Sequence, residues 1–456
     1  MLSSAAGGEG GRGGEPVVTD TLAAASAPAK KRLLTRSATV PHSMTMPTSV
    51  SVEVCARVKP MLDADEKNTD SPQLVDFESS AADGVLYIGK VEGGAANRTQ
   101  SIPGYKSVIL PDQSQAQAYA HVVPRLQYSF LNGYNCTLFV YGQTGSGKTH
   151  TLFGPPNCFT YTAVGSSDQV PESWGMFPRC AMDLLAVLRT DSPTAVLNIS
   201  VVEIYQNICY DLLNDKKAVP VAGFGKGAKS TTMNLETLLT NRRDKDGKWV
   251  CPYKNGKWNT EGATGDYEAS GQKVVQLRGL DDILRVAATI DSSRSSKSHK
   301  MNLRSSRSHC VITLTIGVSG SSTACQPSTA KFLLVDLAGS ERIAKSGVTG
   351  MQEAEARNVN SSLSALGRCV QAVARREKFI PFRDSVLTML MKQSLGGNCH
   401  TTLIVTVCED PDQLPETISS LGFGRTCSTV TNRADNNANF IKDRPAEVRR
   451  LKEGLC

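Results

Sequence analysis

Two spacings of apolar residues alternate along this chain. Val50, Val52, Val54 and Val58 sit at every second position of 49–60, and Pro60, which has no ladder N–H, ends that strand. Val196–Tyr205, Cys310–Val318, Lys331–Leu337 and Thr401–Val407 are denser apolar and β-branched runs, as is Leu138-Phe139-Val140-Tyr141. Such runs predict buried strands. Between them the spacing becomes helical. Ala118, Val122, Val123, Leu126 and Phe130 predict a helix over 114–132, with Ser114 as its N-cap and a kink or break at Pro124. Further helices are expected at 177–189, 280–292, along Val359, Leu363, Leu366, Val370 and Val373, at 385–395, and at 416–429. Strands and helices taking turns in this way predict an α/β core, a largely parallel central sheet with helices on both faces.

The Leu138–Tyr141 strand runs into Gly142-Gln143-Thr144-Gly145-Ser146-Gly147-Lys148-Thr149, which fits the phosphate-loop pattern G-x-x-x-x-G-K-[ST] in full. The glycines let successive backbone N–H groups turn inward on an anion. Lys148 is placed for the β- and γ-phosphates, the Thr149 hydroxyl for Mg²⁺, and the helix that starts near Gly147 presents its positive end. The site is one for a nucleoside triphosphate.

Composition narrows the class. The 456 residues are 40% hydrophobic and 20% charged, as in a soluble globular protein, and the net charge of +7 permits an acidic partner. Thirteen cysteines show no C-x-x-C pair, and Cys136, Cys310 and Cys408 lie in apolar runs, which fits reduced thiols in a reducing compartment. No apolar run reaches membrane-spanning length. Residues 1–46 are mostly Gly, Ala, Ser, Thr and Pro and are expected to be a disordered extension. Residues 214–273 are rich in Gly, Lys, Asn and Thr, with Asp246-Gly247 and Asn255-Gly256 as turn signals, and are expected to be a surface insertion.

Hydrolysis needs more than a phosphate loop. Asp336 ends an apolar strand, where a magnesium-side carboxylate belongs. Gly339 follows at the spacing of a γ-phosphate-sensing N–H, and Arg307, after Ser305-Ser306, is a candidate partner for Glu341. With these pieces in place the chain resembles a kinesin motor domain. GQTGSGKTHT, NLRSSRSH, DLAGSE, NVNSSLSALG, IPFRDSVLT, SLGGN and LGFGR occur in that family's order, across about 47–432.

The resemblance implies roles residue by residue. Arg57, Pro60 and His150 hold the adenine of ATP. Gly142, Gln143, Thr144, Gly145, Ser146, Gly147, Lys148 and Thr149 form the phosphate site. Asn302, Ser305, Ser306, Arg307 and His309 form switch I, and Asp336, Gly339 and Glu341 form switch II. Thr149, Ser306 and Asp336 attend Mg²⁺, Ser305 helps hold the γ-phosphate and the attacking water, and an Arg307–Glu341 ion pair closes the site. The helix from Asn358 is implied to lie on tubulin, with Arg375, Arg376, Lys378 and Arg383, and also Lys392, at the microtubule. Residues 433–456 continue the linker, with Val430 as its apolar anchor, and imply plus-end movement in the cytoplasm, on the cytoskeleton.

The departures from the family pattern are the 214–273 insertion, a long loop after Phe153, and a Ser/Lys-rich approach to switch I that keeps Arg294, Met301 and Asn302. Two related readings stay open. One is a depolymerase, of which Lys90-Val91-Glu92 is a faint echo. The other is a kinesin that binds microtubules without moving. A nucleic-acid-binding ATPase is disfavoured because no aromatic stacking motif occurs, so neither nucleic acid nor membrane insertion is expected.

Overall fold

The computed structural model describes residues 49–60, 71–92, 95–160, 170–191, 195–224, 266–295, 304–318, 330–341 and 351–435. The first alternating stretch forms β1 (Ser49–Ser51) and β2 (Glu53–Lys59). Next, β3 (Gln73–Val75), α1 (Phe77–Asp83), β4 (Val85–Glu92) and β5 (Ala95–Pro103) make a small antiparallel sheet with one helix. β6 (Ser107–Ile109), α2 (Gln115–Leu131), β7 (Cys136–Tyr141), the short α3 (Lys148–Leu152) and α4 (Met176–Asp191) follow. Then come β8 (Ala195–Tyr205), β9 (Ile208–Asp211), β10 (Lys217–Val219), β11 (Val221–Phe224), β12 (Asp266–Ala269), β13 (Val275–Leu277) and α5 (Leu280–Ser295). A 3-10 turn, Arg304–Arg307, leads to β14 (His309–Val318) and β15 (Lys331–Asp336). α6 (Met351–Ala374), α7 (Val386–Leu390), β16 (His400–Cys408), α8 (Leu414–Ser428) and β17 (Thr431–Arg433) complete the order.

The main sheet runs β10-β9-β8-β14-β15-β7-β16-β2-β6, with β13 beside β8. It is parallel from β15 to β6 but antiparallel from β10 to β15, so the sheet is mixed rather than largely parallel. The β8–β9 turn shows why. Gln206 and Asn207 both have positive φ (50° and 62°), the conformation a two-residue hairpin demands. A strand buried on both faces reads the same in either direction, so the apolar pattern does not reveal this.

Alternation along each strand feeds two cores. Leu138, Val140, Ile312, Leu314 and Leu334 face Phe130 of α2, Phe177 and Leu184 of α4, and Ile283 of α5. Phe139, Val311, Val335, Leu403 and Val405 face Leu366 and Val370 of α6, Leu387 of α7 and Leu421 of α8. The helices therefore lie on both faces of the sheet, and each fully buried aliphatic side chain contributes about 1.5–3 kcal/mol.

Two helices differ from expectation. α2 runs through Pro124 without a break. The carbonyl that loses its bond is that of Ala120, on the exposed side where water supplies it, and the Ser114–Gln117 capping box holds the first turn. The helix expected over 385–395 ends at Leu390, with a 3-10 turn at Lys392–Ser394. There the Ser394 hydroxyl lies 2.8 Å from Thr137 Oγ1, and its carbonyl accepts from Thr401 Oγ1 at 2.8 Å and Asn432 Nδ2 at 3.1 Å. These tertiary bonds outweigh a further helical turn.

The first and last described strands form a two-stranded margin of their own. Val52 N–H donates to Val430 O at 2.9 Å, Val430 is fully buried, and β17 pairs antiparallel with β1. Parts of the 214–273 stretch, Lys217–Val219, Val221–Phe224 and Asp266–Ala269, are strands, and β11 pairs with β12. Residues 225–265, the expected disordered 1–46 and the linker beyond 435 lie outside the described residues. The ten described cysteines are free thiols.

Buried Asn432 is the polar clasp of this margin. Its amide donates to Ser394 O, Cys399 O (2.8 Å) and Thr401 Oγ1 (3.0 Å) and accepts from Gly396 N–H (2.7 Å). Asn432→Ala removes these four bonds, leaving Cys399 O in the core without this donor, and is expected to cost about 2–4 kcal/mol, read as a lower urea midpoint. A midpoint unchanged from wild type would remove this role.

Candidate active site

The phosphate loop leaves the end of β7 and closes at Gly147, whose φ of 95° is left-handed and places it as N-cap of α3. Lys148 is buried. Its ammonium donates to Gly142 O at 2.9 Å and Gln143 O at 2.7 Å, and its third N–H has no partner among the described residues. Burial lowers its pKa, while Asp336 and Glu341 raise it. Ser146 Oγ bonds Gln143 O and lies 2.7 Å from Thr406 Oγ1, which pins the loop to β16.

The parallel register of β15 on β7 pairs Asp336 with Val140, so this carboxylate arrives beside the loop. Asp336 Oδ2 accepts from Thr149 Oγ1 at 2.7 Å and from Arg294 Nη1 at 2.7 Å. Both Asp336 and Arg294 are buried, and although burial alone would lower it, Asp336 holds the Arg294 pKa above its ordinary value. Asp336 Oδ1 is buried with no hydrogen-bond partner. An unpartnered carboxylate oxygen beside the Thr149 hydroxyl, and an ammonium with a donor to spare, fit a magnesium triphosphate. Asp336 and Thr149 are residues that would hold the ion, which there would offset phosphate charge.

After Asp336 the backbone is laced to its neighbours. Leu337 N–H donates to Val140 O (3.3 Å), Gly339 N–H to Ser306 O (2.9 Å) and Ser340 N–H to Gly142 O (3.1 Å). The Glu341 carboxylate accepts from Thr144 N–H at 2.8 Å and from Thr144 Oγ1 at 2.5 Å. The described bonds of Glu341 thus go to the phosphate loop and not to Arg307. A Cβ on Gly339 would fall inside contact distance of both Glu341 carboxylate oxygens and Thr144 Oγ1, so a larger residue would displace these side chains. Ser305, Ser306 and Arg307 share the Arg304–Arg307 turn, while Asn302 lies outside the described residues.

The expected adenine side gathers through a residue the sequence did not single out. Gln115, buried in the first turn of α2, accepts from Arg57 Nη1 at 2.8 Å and donates to His150 O at 2.7 Å. Arg57 also donates to Thr151 Oγ1 at 3.1 Å, and burial pulls its pKa down to about 10. The His150 pKa is lowered by burial and then by Arg57 and Lys59. Pro60 is exposed at the end of β2. Gln115 escaped, and so did the pairing of Arg294 with Asp336, because each acts on a residue far away in sequence. The signal for Arg294 was a cation closing a helix whose other face is apolar.

His309 opens β14. Ala338 N–H donates to its Nδ1 at 3.0 Å, and its Nε2 lies 2.8 Å from Ser362 Oγ. Burial first, then Arg294 and Lys148, push its pKa down to about 3. Arg375, Arg376 and Lys378 are exposed directly after α6 and Arg383 in the next 3-10 turn, with Phe379, 57% exposed, among them. Arg383 Nε donates to Tyr267 Oη of β12 at 2.8 Å, and Lys392 Nζ lies 5.6 Å from that ring's centre.

A phosphate loop joined in this way to a strand-end carboxylate defines a phosphate-loop nucleotide-binding domain. The kinesin motor domain profile matches residues 57–430, and this chain belongs to the kinesin family. It is 27% identical over 413 residues to the kinesin-like protein KIN-5B of Arabidopsis thaliana, covering 89% of this chain and 36% of that one. It is 28% identical over 416 residues to the kinesin-like protein KIF11-B of Xenopus laevis (89% and 35%), and 31% over 355 residues to the kinesin-like protein KIF7 of Homo sapiens (75% and 23%). The chain spans about a third or less of these relatives. A solved structure of a fast kinesin shares its fold with a TM-score of 0.62 and 26% identity, over 85% of this chain and 94% of that one.

Two outcomes test this geometry. Gly339→Ala is expected to lower ATP turnover at least about a hundredfold, because the added methyl pushes the Glu341 carboxylate off Thr144. An ATPase assay giving turnover within a few-fold of wild type would show that the close approach is not needed. The second concerns pH. His309 takes up a proton near 6.5 in the unfolded chain but only near 3 when folded, so its contribution is complete above pH 6.5 and is lost as pH falls toward 3. Wild-type stability to urea should therefore drop more steeply between pH 7 and 4.5 than that of His309→Gln; parallel slopes would contradict the buried neutral ring.

Proposed function

We propose that this chain is an ATP-driven microtubule motor, hydrolysing MgATP with stimulation by tubulin and moving toward the plus end in the cytoplasm. The observation that carries this reading is the bonding of Gly339 N–H to Ser306 O, with Glu341 on Thr144: both switch segments and the phosphate loop share one set of bonds. Lys148 neutralises β/γ-phosphate charge, and Ser305 and Ser306 hold the γ-phosphate and the attacking water. Glu341 leaves Thr144 for Arg307 as the site closes, and that pair orders the water. The switch II backbone then moves α6, whose end bears Arg375, Arg376 and Lys378 toward acidic tubulin, with Arg383 alongside. Family membership supports each role; plus-end movement rests on the linker following the motor.

Lys148→Ala and Glu341→Ala should both lose at least about a hundredfold in turnover, with Glu341→Ala still binding ATP. Gliding of microtubules over surface-bound protein separates the readings. Directed gliding supports the motor; shortening filaments support a depolymerase, and immobile binding a passive kinesin.

The insertion springs from the β11–β12 hairpin, where Tyr267 meets Arg383. Between those strands lysine and arginine outnumber acids. Its charge is expected to raise the on-rate for microtubules by an attraction that salt screens over roughly 8 Å. Replacing 226–264 with a short Gly/Ser linker should leave basal ATPase unchanged. It should raise the microtubule concentration for half-maximal stimulation at low salt, with the difference shrinking as salt is added. Equal stimulation at every salt concentration would make the insertion inert toward the track.

A further inference from the structure

Position 309 is where the switch segments meet the long helix. The antiparallel register pairs Cys310 with Asp336, so His309, one residue earlier, lies against the chain just past that carboxylate. Ala338 N–H can only donate, so Nδ1 of His309, 3.0 Å away, must accept. The ring proton is therefore on Nε2, and it donates to Ser362 Oγ of α6 at 2.8 Å. Both residues are buried, His309 at 2% and Ser362 at 6% exposure. The imidazole is held at both ends and cannot turn without breaking a bond in a dry environment.

What it joins is specific. The residue after Ala338 is Gly339, whose N–H is on Ser306 O of switch I. Ser362 lies on α6, in the stretch that packs Leu363, Leu366 and Val370 into the core. A shift of the Gly339 peptide carries the Ala338 N–H with it. The ring must then follow and pull on Ser362, or lose one of its two bonds. Close-packed cores answer such a choice with two discrete arrangements rather than a graded strain.

We propose that the His309 imidazole is a positioning link that transmits the state of the switch II backbone to α6 through its bond to Ser362. The link acts on the coupling between nucleotide and helix, not on the reacting atoms. Its microtubule consequence rests on the motor reading above, while its nucleotide consequence does not.

The test uses Ser362, buried on α6 at 6% exposure, in the whole chain. Ser362→Ala removes the acceptor of the His309 Nε2–H, while Ser362→Thr keeps the hydroxyl. Expected for Ser362→Ala is a basal ATPase and ATP affinity within about twofold of wild type, with maximal microtubule stimulation reduced at least about fivefold, the factor for a bond of about 1 kcal/mol. Ser362→Thr should recover stimulation. Stimulation by Ser362→Ala within twofold of wild type would overturn the link, and so would equal loss in basal and stimulated rates. The second measurement is nitrogen NMR of histidine-labelled wild-type protein with ADP and with a non-hydrolysable ATP analogue. His309 resonances that move between the two states support the link; resonances that stay fixed overturn it. If microtubules do not stimulate even the wild type, the motor reading fails and the NMR arm alone decides.

Discussion

A single buried carboxylate holds this site together. Asp336 has no solvent exposure and receives the Arg294 guanidinium and the Thr149 hydroxyl on one oxygen. Removing one partner of such a pair costs about 3–5 kcal/mol, because the remaining charge stays buried. The cost is tied to register. Only the parallel pairing of β15 with β7 brings Asp336 next to the first turn of α3, and only the last turn of α5 brings Arg294 from the opposite side. Strand order, helix placement and phosphate chemistry are thus one constraint.

The second constraint is closeness. Gly339, Glu341 and Thr144 are packed so closely that a methyl group on Gly339 requires the Glu341 carboxylate and the Thr144 hydroxyl to shift. Each oxygen of the Glu341 carboxylate accepts a bond from Thr144 of the phosphate loop, which holds the side chain there. Pairing Glu341 with Arg307 requires those bonds to be given up. An exchange of one charge-assisted bond set for another has a small net free energy. That is the condition under which a γ-phosphate, itself a strong acceptor, can decide between two states.

The phosphate loop and Asp336 were legible because their chemistry is local: glycines, a lysine and a strand-end acid in fixed spacing. Helices on both faces were legible because apolar runs occurred at both periods. What was not legible is tertiary. The direction of β8, β9 and β14 was not, since a strand buried on both sides carries no sign of its neighbour's sense. Gln115 reads as an ordinary polar residue in a first turn, yet it ties Arg57 to His150. Arg294 was visible as a retained residue but not as the partner of Asp336, 42 positions away. The truncation of α7 follows from Ser394 bonds to Thr137, Thr401 and Asn432, all outside the helix and two of them far from it in sequence.

The end of α6 carries the same logic to the surface. Arg376 N–H bonds Val373 O and Glu377 N–H bonds Ala372 O, both at 2.9 Å, which is the helix-ending motif that normally places glycine in the left-handed position. Here that position is Arg376, with φ of 56°. A side chain there costs about 1 kcal/mol relative to glycine. No salt bridge of Arg376 among the described residues offsets it; the nearby ion pair is the long, exposed Arg375–Glu377 contact at 3.9 Å. Stability alone would favour glycine, so the arginine contributes something other than fold. Beside it stand Lys378 and the exposed ring of Phe379. The same helix thus carries a left-handed arginine at its exposed end and, deeper in the core, the Ser362 hydroxyl that meets His309.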